Sequence, residues 1–133
     1  VNETRIILSG STNGRVIPVA AAATPGTIIH TAISSATIGP GTIDEVHLWV
    51  SNVTGGAATL TIEWGGVVAP GDLLVAAYNV AANSAPIKVV DGQVLQAALV
   101  IRAFSGTANA LNISGYVNRK ARITYAQKVG GPT

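Results

Sequence analysis

The side chains that could do chemistry in this 133-residue chain are few: two histidines, six carboxylates and two tryptophans. A general acid–base pair needs its groups within hydrogen-bond reach of one substrate atom, and a hard cation needs several carboxylates converging from one side. The densest cluster is Asp44, Glu45 and His47, with Glu63 further along. In an extended strand Asp44 points opposite to Glu45 and His47, so the carboxylates diverge. His47 facing Glu63 across two strands would be ordinary sheet pairing. These spacings predict no catalytic site, no metal site and no cofactor. There is no cysteine, so thiolate ligands and disulfides are excluded and the redox compartment is not indicated.

The aromatic residues suggest binding instead. Trp49 and Tyr78 could form a platform for a sugar ring, or one could pack inside while the other anchors a protein interface. Alternation puts Trp64 on an inner face and Trp49 on an outer one, which makes Trp49 the better interface residue. Asn2-Glu3-Thr4, Asn52-Val53-Thr54 and Asn112-Ile113-Ser114 fit the N-glycosylation pattern. In a chain rich in Asn, Ser and Thr and without a recognisable signal peptide, coincidence is the simpler reading.

Charge is scarce and unevenly placed. Charged residues make up 11% of the chain and apolar ones 48%, against about 25% charged in an average soluble domain. A surface so poor in ions is either built from small polar residues or covered by other subunits, and the second is preferred. Residues 1–118 hold four Lys or Arg against six acids, a net of −2, whereas 119–133 hold Arg119, Lys120, Arg122 and Lys128 with no acid, a net of +4. Four charges without interleaved aromatics are a weak nucleic-acid footprint, so the tail is expected to dock on an acidic protein surface or to stay solvated. No apolar run approaches the roughly 18 residues needed to cross a bilayer as a helix. The expectation is a soluble protein with neither nucleic acid nor membrane as partner.

These residues must be positioned by strands. Val46, Leu48 and Val50 alternate with His47, Trp49 and Ser51, and after Thr54-Gly55-Gly56 the residues Leu60, Ile62 and Trp64 alternate with Thr59, Thr61 and Glu63. This predicts a β-hairpin over 44–67 that pairs 50 with 60, 48 with 62 and 46 with 64, setting His47 opposite Glu63 and Trp49 opposite Thr61. Further strands are expected at 4–8, 27–33, 73–80, 87–90, 94–104 and 108–118, with a turn at Asp91-Gly92. Pro18 within Val16–Val19 marks an edge or an extended arm. Seven or eight strands without a confident helix predict an all-β antiparallel β-sandwich of jelly-roll type. Its parts would be an N-terminal arm (1–26), the sandwich (27–118) and a basic C-terminal tail (119–133).

Four segments carry a resemblance: Val19 to Thr31, ending in Thr24-Pro25-Gly26-Thr27-Ile28-Ile29-His30-Thr31; Asp44 to Gly66; Ala82 to Pro86; and Arg102 to Arg119. Together they resemble small virion structural proteins of tailed bacteriophages, in particular head decoration or cement proteins. The resemblance implies a subunit on the outer surface of an assembled capsid, bound to the major capsid protein and to itself as a homodimer or homotrimer. Capsid or subunit contacts would then fall to Arg5, Arg15, Trp49, Arg119, Lys120, Arg122 and Lys128. The alternative is a carbohydrate- or receptor-binding module of a viral tail or fibre.

Overall fold

The computed structural model describes residues 2–35 and 42–121. Its strands are β1 (Asn2–Ile7), β2 (Ile17–Pro18), β3 (Thr27–Thr31), β4 (Thr42–Asn52), β5 (Ala58–Trp64), β6 (Leu73–Val80), β7 (Ile87–Leu95), β8 (Val100–Ser105) and β9 (Leu111–Ala121). They form two antiparallel sheets. One has the order β1-β9-β4-β7 with β2 also on β9, and the other has the order β3-β8-β5-β6. The chain is therefore an all-β sandwich, and no helix occurs among the described residues.

The core follows from alternation. Val46, Leu48 and Val50 of β4 and Ile113 and Val117 of β9 are buried to within a fraction of a percent, as are Leu60 and Ile62 of β5 and Ile101 and Ala103 of β8. β4 and β8 hide every second side chain, as a sheet with one face on a core must. Trp64 is only partly buried and packs against this cluster.

The hairpin over 44–67 does not form. β4 pairs with β9 and β7, while β5 pairs with β6 and β8 in the opposite sheet. Val46, Leu48, Val50, Leu60 and Ile62 face inward as alternation predicts, but the two segments belong to separate sheets rather than to one ribbon. Period-two alternation is satisfied equally by either arrangement. The crossing is fixed by Asn52, whose side-chain amide donates to the carbonyls of Gly56 (2.9 Å) and Val80 (3.2 Å). Its oxygen accepts from the Thr54 N–H (2.9 Å) and hydroxyl (2.8 Å). These bonds make the 53–57 segment a bridge between layers. They also use up the Asn52 side chain, which is buried, so this acceptor pattern serves as a turn.

Two more boundaries differ. The expected strand 94–104 is broken by the turn at Gln96–Leu99, with Ala97 and Ala98 at positive φ, so its halves lie in different sheets. Asp91-Gly92 is not a turn but part of β7, where Gly92 at φ 84° sits in an irregular register with β4. The segment expected as an arm is built into the sandwich over its described residues, 2–26: β1 and β2 pair with β9, and Leu8, Ile17 and Val19 are core residues. Pro18 does lie on a strand at the sheet margin, where its missing N–H is tolerated. Arg119 and Lys120, expected in the tail, belong to β9, while Arg122 and Lys128 lie outside the described residues.

Candidate functional site

β4 and β9 run side by side over eleven paired positions, from Thr42↔Ala121 to Asn52↔Leu111. Their outward residues are Glu45, His47 and Trp49 on one strand and Ser114, Tyr116, Asn118 and Lys120 on the other. Gly115 lets the strands meet closely. A Cβ there would run into the His47 carbonyl, and its φ of 152° is one that side-chain-bearing residues rarely take. Tyr116 consequently stacks on His47, with ring centroids 4.9 Å apart and planes 23° from parallel, and lies tilted against Trp49 at 6.0 Å. From β1 the Arg5 guanidinium covers the Tyr116 ring at 4.2 Å, and from β7 the Lys88 ammonium lies 4.8 Å from the Trp49 ring. Both are cation–π contacts that pin the aromatic groups flat on the sheet.

Charged groups rim this aromatic centre. Glu45 accepts from Lys120 Nζ at 2.9 Å and Asn118 Nδ2 at 3.3 Å, and its other contact is His47 Nε2 at 3.2 Å. The Lys120 hydrogen bond, followed by those from His47 and Asn118, holds the Glu45 carboxyl down at about 2. Lys120 is raised in return by Glu45. Asp91 pairs with Lys88 at 2.8 Å and approaches His47 Nδ1 at 3.5 Å; the Lys88 hydrogen bond lowers its carboxyl. Arg5, Trp49 and Lys120, read separately from the sequence, are thus brought onto one sheet face. Arg15 stands exposed in the turn between β1 and β2 and takes no part in these contacts.

A second constellation lies on the inner side of the same two strands. Asp44 and His30 are both buried, at 0% and 1% side-chain exposure. Arg119 grips Asp44 through Nε (2.7 Å) and Nη2 (3.0 Å), and the Ile33 N–H adds a bond of 3.0 Å. The Ser9 N–H donates to His30 Nδ1 at 3.0 Å, which makes Nδ1 an acceptor and leaves the ring proton on Nε2 to reach Asp44 at 2.8 Å. Burial pushes the Asp44 carboxyl up, but the Arg119 and His30 hydrogen bonds outweigh it and the group ends below its ordinary value. His30 enters the interior because β3 shifts register between Ile28 and His30, so that Ile29 and His30 are both buried. The cluster joins the two sheets, tying His30 on β3 to Asp44 on β4 and Arg119 on β9.

No family model, no curated protein and no solved structure matches the chain.

The structure separates other residues considered together. His47 is not opposite Glu63, and Trp49 is not opposite Thr61; their cross-strand neighbours are Tyr116 and Ser114 on β9. Glu63 is fully buried, accepting from the Gly26 N–H at 2.8 Å and from the Thr24 hydroxyl. A strand residue read as outward is covered because the 24–26 segment folds over it. Trp49 and Tyr78 lie in different sheets, so they form no shared sugar platform. Tyr116, Lys88 and Asp91 were not singled out from the sequence. Tyr116 did stand in the outward set of its strand, but its importance depends on β4 being its neighbour.

Proposed function

We propose that the chain is a structural subunit of a virion, a decoration protein that binds the outer surface of an assembled phage head and braces contacts between capsomers. The family reading rests on the four resembling segments. The observation that carries the mode of action is the pinned aromatic face, with Trp49, Tyr116 and His47 held flat between Arg5 and Lys88. A rigid aromatic centre with a polar rim is the anatomy of a protein contact surface, since little side-chain freedom remains to be lost on docking. A charge-poor body supports the same reading, because wide faces can be covered without stripping water from many ions.

We also propose that the sandwich is of jelly-roll type. With β1 and β2 counted as one interrupted strand, eight strands divide four and four in the orders β1-β9-β4-β7 and β3-β8-β5-β6. That division supports two interleaved Greek keys, an architecture used by capsid proteins. In this reading Arg5, Trp49 and Lys120 meet the major capsid protein. Arg119 serves the subunit's own fold, and the contact to a neighbouring subunit is assigned to Arg122 and Lys128.

The test is occupancy on purified capsids. Trp49→Ala should reduce saturation binding about a hundredfold in affinity, as loss of a tryptophan anchor does, without changing the thermal midpoint of the free subunit. Truncation after Ala121 tests the tail while keeping the Arg119–Asp44 pair. Unchanged occupancy for both variants would discard the assignment of the surface.

A further inference from the structure

The four edges of the two sheets are treated differently. β1 carries Glu3 and Arg5, and β7 carries Lys88 and Asp91 together with register irregularities against β4. The outer side of β3 is covered by the chain's own 9–10 segment: the Gly10 N–H donates to the Ile29 carbonyl (2.9 Å) and the Thr31 N–H to the Ser9 hydroxyl oxygen (2.7 Å). Charges, irregularity and covering segments are the usual ways of keeping an edge from pairing with another chain. β6 shares the irregularity, with register shifts against β5 and Ala77 at a φ of 50°, but has none of the charge or cover. It pairs with β5 alone, reads Leu-Leu-Val-Ala-Ala-Tyr-Asn-Val, and leaves Leu74 39% and Tyr78 43% exposed. Among the described residues it is the edge that neither charge nor a covering segment protects.

What should cover it is indicated by charge. From Trp64 to Ile87 the chain contains a single charged side chain, Asp72. That carboxylate is turned back into its own loop, where Oδ2 accepts the Val68 N–H at 3.0 Å. Beside the strand, Val67 and Val68 are exposed on the approach and Ile87 beyond the exit. In an antiparallel two-fold pairing each copy's 64–72 flank meets the other's 80–87 flank, so uncharged surface meets uncharged surface along the whole seam. A charged partner strand would instead leave its ions desolvated and unmatched.

We infer that β6 pairs antiparallel with β6 of a second copy, joining two four-stranded sheets into one continuous sheet across a two-fold axis. The contact is isologous, so it closes at a dimer and cannot propagate. This rests on the reading of the chain as a self-associating structural subunit, and it gives that association a location distinct from the Trp49 face.

The experiment is sedimentation of the free chain at micromolar concentration, without capsids, so that its outcome is independent of decoration. Wild type should run as a dimer. Ala76→Lys, at an exposed β6 position, should weaken the dimer about a hundredfold by setting like charges across the axis, with an unchanged circular dichroism spectrum. Ala76→Glu should do the same, and mixing the two variants should restore dimer mass as a heterodimer. A monomeric wild type, or a lysine variant as dimeric as wild type, overturns the inference. So does a dimer dissolved by Trp49→Ala but not by Ala76→Lys. If the free chain is monomeric and Ala76→Lys abolishes capsid occupancy, the edge takes a capsid strand and self-pairing is wrong.

Discussion

Asp44 and Glu45 are consecutive residues of β4, each held by a basic side chain of β9, and they differ in one respect: which face of the sheet they occupy. Asp44 points inward, fully buried, and receives four hydrogen bonds from Arg119, His30 and the Ile33 N–H. Glu45 points outward at 23% exposure and is held by Lys120, Asn118 and His47. The same chemistry on the two sides of one backbone thus becomes a lock between sheets on one side and the rim of a contact surface on the other. Burial decides the difference: removing one partner of a buried pair strands a charge, whereas an exposed pair re-solvates.

Breaking the inner pair should have the largest effect. Arg119→Ala should lower the unfolding free energy by about 3 kcal/mol in urea, the lower end for a broken buried pair because the guanidinium is 31% exposed. A loss no greater than that of an ordinary surface substitution would refute the lock.

Acid should erode both members, and the order follows from sign. Each carboxyl titrates lower folded than unfolded, so its contribution is complete above the unfolded values of 3.8 and 4.5 and is lost as pH falls through the folded ones. Stability measured between pH 5 and 2 should therefore decline. Glu45→Gln should flatten the part of that decline that begins near 4.5 and leave the Asp44 part in place. An identical pH profile for the variant would contradict the assignment.

Lys120→Ala should have the smallest effect on folding. Its urea midpoint should move less than that of Arg119→Ala, and the shift should vanish at about 1 M salt, where screening acts within about 3 Å. A salt-insensitive loss would mean that Glu45 behaves as a buried carboxylate despite its exposure.

The sequence made Arg119 and Lys120 part of one basic tail, and that grouping was wrong because charge in a sequence carries no direction. Once β9 is known to extend to Ala121, adjacent residues fall on opposite faces and acquire unrelated roles. The core was more legible. Val46, Leu48, Val50, Leu60 and Ile62 were identified from alternation and are buried, since period-two patterning is a local property of a strand. Trp49 was likewise legible as outward. Its companions were not, because Tyr116 and Lys88 reach it only through pairing with β9 and β7.

The sequence by itself determined that the chain is all-β, which side of each major strand is apolar, and that cysteine chemistry is absent. Only the tertiary structure decided which strands are neighbours. Backbone N–H and C=O groups are the same in every residue, so a strand's inward face does not name its partner. β4 could have paired with β5 a few residues away and instead lies beside β9, which begins at Leu111. That choice creates the Asp44–Arg119 lock inside and the Trp49–Tyr116 surface outside, and it leaves β6 at an open edge.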